Sequence, residues 1–237
     1  MNELSHNAYA LLALSPQATS KQITKQTKDL QKLVKIGQDK EYALDSVYFN
    51  LLRNPENIQE ASKALSKPKE KIKHSFFALT PDDDLDLLAK KFTLANIDAY
   101  INKHRNISAQ KNAAILYALY EYKNPSQDIA QSYLNDFFAL FKQSLEREPL
   151  QTFKKDFIEN DGTGLDEQVF MDLKDELILV LANVAFELST KSNDINFIKN
   201  FGKHFKLMNY KKCKFVEDIF KELDNLCNEC DEDEIPF

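Results

Sequence analysis

Proline and helix-capping residues fall together in this chain, and that pairing constrains its fold more than any other feature. Asn54-Pro55, Thr80-Pro81 and Asn124-Pro125 each set a capping side chain before a proline. At the first helical position a proline's missing N–H is not needed, so each dipeptide predicts a helix start. Ser15-Pro16 predicts a turn, Ser66-Lys67-Pro68 a break, and Glu148-Pro149 a separation between two helices. Nowhere do apolar and polar residues alternate over a strand's length. The chain is therefore expected to be all-α.

At 237 residues and 43% hydrophobic content it can build a core. Only four glycines occur, at 37, 162, 164 and 202, and none are spaced as a phosphate-cradling loop, which excludes the common nucleotide-binding signatures. No apolar run reaches the ~18–20 residues that span a bilayer. The first fourteen residues lack a signal-peptide pattern, and three cysteines are too few for a disulfide framework. The expectation is a cytoplasmic protein without a membrane segment.

A first helix is predicted from about Ser5 to Leu14, carrying Tyr9, Leu11, Leu12 and Leu14. After the Pro16 turn, Thr19 or Ser20 caps a second helix running to about Ile36. Lys21, Lys25, Lys28, Lys32 and Lys35 then fall at i, i+4, i+7, i+11 and i+14, within roughly 80° of helical arc. Ile23, Leu30, Leu33 and Val34 take the other side. This stripe is either a solvated face or a binding face for an acidic partner. Charge is uneven: residues 1–80 hold 12 Lys+Arg against 8 Asp+Glu (+4), and the rest 19 against 29 (−10).

Residues 37–53 are too apolar for a simple loop and have room for a short helix. A further helix starts at Pro55, carries Ile58, Ala61 and Leu65, and is broken at Pro68 before Phe76, Phe77 and Leu79. The order NAYALLALSPQATSKQITKQTKDLQKL (7–33), then PENIQEASKALSKPKEKIKHSFF (55–77), resembles a J-domain over about residues 5–79. The shared pattern is a short helix with a tyrosine and paired leucines, an SPxAT turn, a basic helix, and a helix ending in ALSxPxxK. The resemblance implies an Hsp70-type chaperone as partner, met through the basic second helix. J-domains carry a His-Pro-Asp tripeptide after that helix, where this chain reads Ile36-Gly37-Gln38-Asp39-Lys40. The resemblance therefore implies a degenerate member, without the residues tied to ATPase stimulation.

The expected organisation is a degenerate J-like helical segment at 1–79, a multi-helix, at most solenoid-like, domain at 80–230, and an acidic tail at 231–237. Helices are predicted at 83–103, 108–122, 126–146, 150–159, 166–189, 194–206 and 210–227. Asp82-Asp83-Asp84 suits a helix N-terminus. Leu177–Leu188 is apolar nearly all round and is expected to be buried, and Phe197, Phe201 and Phe205 are expected in the core. The loop Asn160 to Gly164 lacks the EF-hand spacing.

Cys227 and Cys230 form a CxxC, a weak metal or thiol-exchange candidate. A structural zinc needs four ligands, and Cys213 would lie about 21 Å from Cys227 along an unbroken helix. Neighbouring acidic residues and a helix C-terminus disfavour a reactive thiolate. His6, His74, His104 and His204 stand isolated in sequence, with no HExxH or GxSxG. No catalytic residue, metal or cofactor is predicted. Non-catalytic protein binding through the lysine stripe and the helical array is the favoured function. The alternative is nucleic-acid binding through the same stripe, disfavoured by the acidic chain, scarce arginine and absence of interleaved aromatics.

Overall fold

The computed structural model describes residues 2–38, 40–49, 51–104, 106–125, 138, 139, 142, 167–193 and 196–205. Among them there is no strand, and the fold is all-α. The predicted helices at 126–146, 150–159 and 210–227 lie outside the described residues, apart from 138, 139 and 142. So do the 160–164 loop, Cys213, Cys227, Cys230 and the tail.

The helix predicted from about Ser5 to Leu14 is shorter, α2 (Ala8–Leu11), and a separate turn of helix, α1 (Asn2–Ser5), precedes it. The cause is Asn7, whose side chain accepts from the Tyr9 N–H at 3.0 Å and so restarts the helix. α2 closes with the Ala13 N–H on the Ala10 carbonyl (3.0 Å) and the Leu14 N–H on the Tyr9 carbonyl (2.9 Å). That paired closure needs a left-handed residue, and Ala13 supplies it at φ 51°.

The basic helix α3 (Ser20–Lys35) begins where the capping signal places it. Gln22 accepts from the Thr19 N–H at 2.7 Å, and Thr19 accepts from the Gln22 N–H at 3.3 Å. It ends in the same type of closure, with Gly37 at φ 68°, the Gly37 N–H on Val34 and the Gln38 N–H on Leu33, both at 3.0 Å. Glycine adopts that conformation without a Cβ penalty. The connection that follows holds one 3₁₀ turn, Ala43–Ser46.

α4 (Pro55–Leu65) starts at its predicted proline, capped by Asn54 accepting from the Asn57 N–H at 2.7 Å. Pro68 ends that run and opens α5 (Pro68–Phe76). Thr80-Pro81 is not the next start: Asp82 caps α6 (Asp83–Lys90), accepting from the Leu85 N–H at 2.7 Å. The predicted 83–103 helix is also two. Thr93 caps α7 (Leu94–Lys103), and the Asn96 side chain holds the Lys91 carbonyl at 2.6 Å across the break. α8 (Ile107–Lys123), α9 (Glu167–Ser192) and α10 (Asn196–Phe205) follow.

α3 packs on α4, and α2 on both α4 and α5, around Tyr9, Leu12, Ile23, Leu30, Ile58 and Leu65. A second, larger cluster takes Val47, Tyr48, Ile72, Phe76 and Phe77 into one core with α6 to α10. It therefore runs across Thr80-Pro81. Leu177, Ile178, Leu181, Val184, Ala185 and Leu188 are buried in α9, with Phe197 and Phe201 against them, whereas Phe186 is 51% exposed. The all-round apolar reading of α9 fails at Phe186.

Candidate functional site

The lysine face of α3 is built by what lies beneath it. Ile23, Thr27 and Leu30 are buried at i, i+4 and i+7, and the Thr27 hydroxyl is spent on the Ile23 carbonyl at 2.8 Å. Two side-chain bonds fix the rotation of the helix: Gln31 to Gln59 of α4 at 3.0 Å, and Gln26 to the Tyr42 hydroxyl at 3.1 Å. With that side pinned, Lys21, Lys25, Lys28, Lys32 and Lys35 are all exposed. Among the described residues the only ion pair on this face joins Lys32 to Asp29, one turn away, at 3.9 Å and largely in solvent. Such a pair contributes little. The face thus carries five cations against one carboxylate, and Ile36 just beyond it is 67% exposed.

Beside Tyr42 sits a clamp with no sequence signature. Arg53 binds both oxygens of Asp45 at 2.6 Å and donates to the Leu11 and Ala10 carbonyls at 2.9 and 3.1 Å. Its guanidinium also lies 4.8 Å from the centre of the Tyr42 ring. It fastens the end of α2 to the 3₁₀ turn.

His6 and His74, isolated in sequence, line one open cleft of about 460 Å³ with Asn57 and Glu60, over a floor that includes Ala8, Leu11 and Ala61. His74 Nδ1 faces the Ala8 N–H at 3.3 Å. That contact assigns the ring proton to Nε2 and gives the histidine a capping role at α2. His104 instead meets Asp84, with Nε2 2.5 Å from Oδ2, beside Lys103 at 2.7 Å. Hydrogen bonds from Lys103 first, then His104, hold the Asp84 carboxyl below the usual carboxylate range. Of the acidic run, Asp82 is therefore engaged in a cap and Asp84 in ion pairs. Among the described residues no group of three or more His, Cys, Asp or Glu is placed to hold a metal ion, and no helix is long and apolar enough to cross a membrane.

Periodicity exposed the lysine stripe, but no spacing rule joins His6 to His74 or Asp45 to Arg53, because these residues meet only when separate segments of the chain pack. Comparison of the chain with protein-family models, with curated proteins and with solved structures finds no match.

Proposed function

We propose that this protein is a non-catalytic binding factor of the cytoplasm, a degenerate J-like adaptor whose lysine face on α3 engages an acidic protein surface. An Hsp70-type chaperone is the partner that the sequence resemblance nominates, and the helical array from α6 onward offers further contact surface. One observation carries the reading: five lysines at helical spacing stand exposed with a single weak internal counter-charge. Like charges three and four residues apart on a helix repel one another. The face is thus kept at some cost to the helix, as a surface made for an external anion is.

The test is capture at low and moderate salt on immobilised wild type and on a variant carrying Lys21→Glu, Lys25→Glu, Lys28→Glu and Lys32→Glu, with circular dichroism confirming that both are folded. A purified Hsp70-type chaperone is expected on the wild type and not on the variant, more strongly at low salt, without acceleration of its ATPase. Equal retention on both proteins refutes the proposal. Retention that nuclease abolishes moves the face to the nucleic-acid alternative.

A further inference from the structure

A second cavity lies where α2, the 3₁₀ turn and α6 meet, and its chemistry differs from that of the lysine face. It encloses about 150 Å³. Taking about 30 Å³ for each water-sized group, roughly five heavy atoms fill it, well short of a drug-sized ligand. Tyr9, Tyr42, Tyr48 and Leu79 wall it, and Asp45 and Asp86 are the charged groups lining it, with no basic side chain among the lining residues.

The two carboxylates are not equivalent. Asp45 has both oxygens on Arg53. The partly buried Asp86 side chain has no cationic partner among the described residues. The phenol groups of Tyr9 and Tyr48 are engaged as well, the first with Ser75 at 3.1 Å and the second with the Leu79 backbone, and both residues are buried. Two cations already lie over Tyr42, Arg53 at 4.8 Å and Lys40 at 4.9 Å from its ring centre, so a ligand's charge falls to Asp86 rather than to that ring.

We propose that this pocket binds a small free alkylammonium, its charge against Asp86 and its chain along the apolar and aromatic lining. Aromatic faces and a carboxylate both favour a cation in a partly dry site. An anion is repelled by Asp86. A neutral ligand of the same shape covers that carboxylate without compensating it, which carries a penalty.

The test is calorimetric titration of the full chain with n-butylammonium, n-butanol and butyrate. Butylammonium is expected to bind about tenfold more tightly than butanol, the effect of one desolvated cation contact, and butyrate not at all. Asp86→Asn should erase the preference for the ammonium. Ala43→Leu, at an exposed lining residue, should block all binding, with circular dichroism showing both variants folded. Equal affinity for ammonium and alcohol, or an Asp86→Asn protein that binds as well as wild type, overturns the proposal. A lysine blocked at both backbone ends is expected not to bind. If it binds as tightly as butylammonium, the occupant is a partner's side chain and the free-amine assignment falls. The lysine face takes no part in this measurement, so its failure and the failure of this pocket are separate results.

Discussion

Replacing Arg53 with Met should be among the most damaging single changes available in this chain. The side chain is only 5% exposed and Asp45 is 21% exposed, so both charges lie largely out of water. The substitution removes two bonds to Asp45 and two to the carbonyls ending α2. Breaking a buried pair from one side costs about 3–5 kcal/mol, because the remaining charge stays desolvated. Asp45 keeps one bond, from the Tyr42 N–H at 2.9 Å, and some solvent contact. The lower end of the range, about 3 kcal/mol, is therefore expected. Arg53→Lys keeps a charge and loses the fork, and should cost about half as much. Adding Asp45→Leu to Arg53→Met should return part of the loss by removing the stranded carboxylate. About 1–2 kcal/mol stays lost, because the Ala10 and Leu11 carbonyls still lack their donor. Urea unfolding followed by circular dichroism measures all four proteins, the chain having no tryptophan to report on. A loss below about 1 kcal/mol for Arg53→Met, or a double variant no better than the single, would refute the clamp as a buried ion pair.

Two further outcomes follow from backbone strain and from burial. Ala13→Gly should raise stability by about 0.5–1 kcal/mol, the relief of a left-handed alanine less the extra freedom of glycine when unfolded; a loss in urea unfolding would show that the turn is not strained. Burial, first among the causes, pushes the Tyr48 and Tyr100 phenols above the usual tyrosine range. A nearby carboxylate, Asp45 and Asp82 respectively, adds to it, against opposing hydrogen bonds with the Leu79 backbone and Asn112. Because the folded pKa exceeds the unfolded one, the stability tied to their neutrality is intact below about pH 10 and is lost as the pH rises above it. Phenolate absorbance should show both titrating only with alkaline unfolding. The absorbance released in that step should shrink in Tyr48→Phe, and an unchanged step would exclude Tyr48 from it.

The parts of this fold that could be read in the sequence are those decided within one turn of helix. Asn54-Pro55 caps α4 because a cap needs only its next three residues, and Gly37 ends α3 because one left-handed residue suffices. The same locality explains the errors. At Thr80-Pro81 the proline pattern points to one start, but Asp82 offers a carboxylate to the Leu85 N–H and takes the helix two residues later. The break at Lys91 to Thr93 contains neither proline nor glycine. Its only mark is Thr93, whose capping bond to Asn96 is long, at 3.4 Å. The lysine face was legible because exposure on a helix is periodic. The tyrosine-walled pocket was not, since Tyr9, Tyr42 and Asp86 come from three separated segments and share only the space between them.

The two candidate sites differ in how tightly they are coupled to folding. α3 belongs to the smaller cluster and its five lysines are exposed, so charge changes there should leave the larger core intact. The pocket lies against Tyr48 and Leu79, members of the core that continues into α6 to α10. The junction beside it is held firmly: Asn112 exchanges hydrogen bonds with both backbone groups of Thr80 at 2.8 Å and donates to the Tyr100 hydroxyl at 3.0 Å, while that hydroxyl donates to Asp82 at 2.7 Å. That network ties the start of α6 to α7 and α8, and a ligand in the pocket adds a contact between α6 and α2. Because each ligand binds the folded chain, occupancy of either site should register as added stability set by its concentration and affinity.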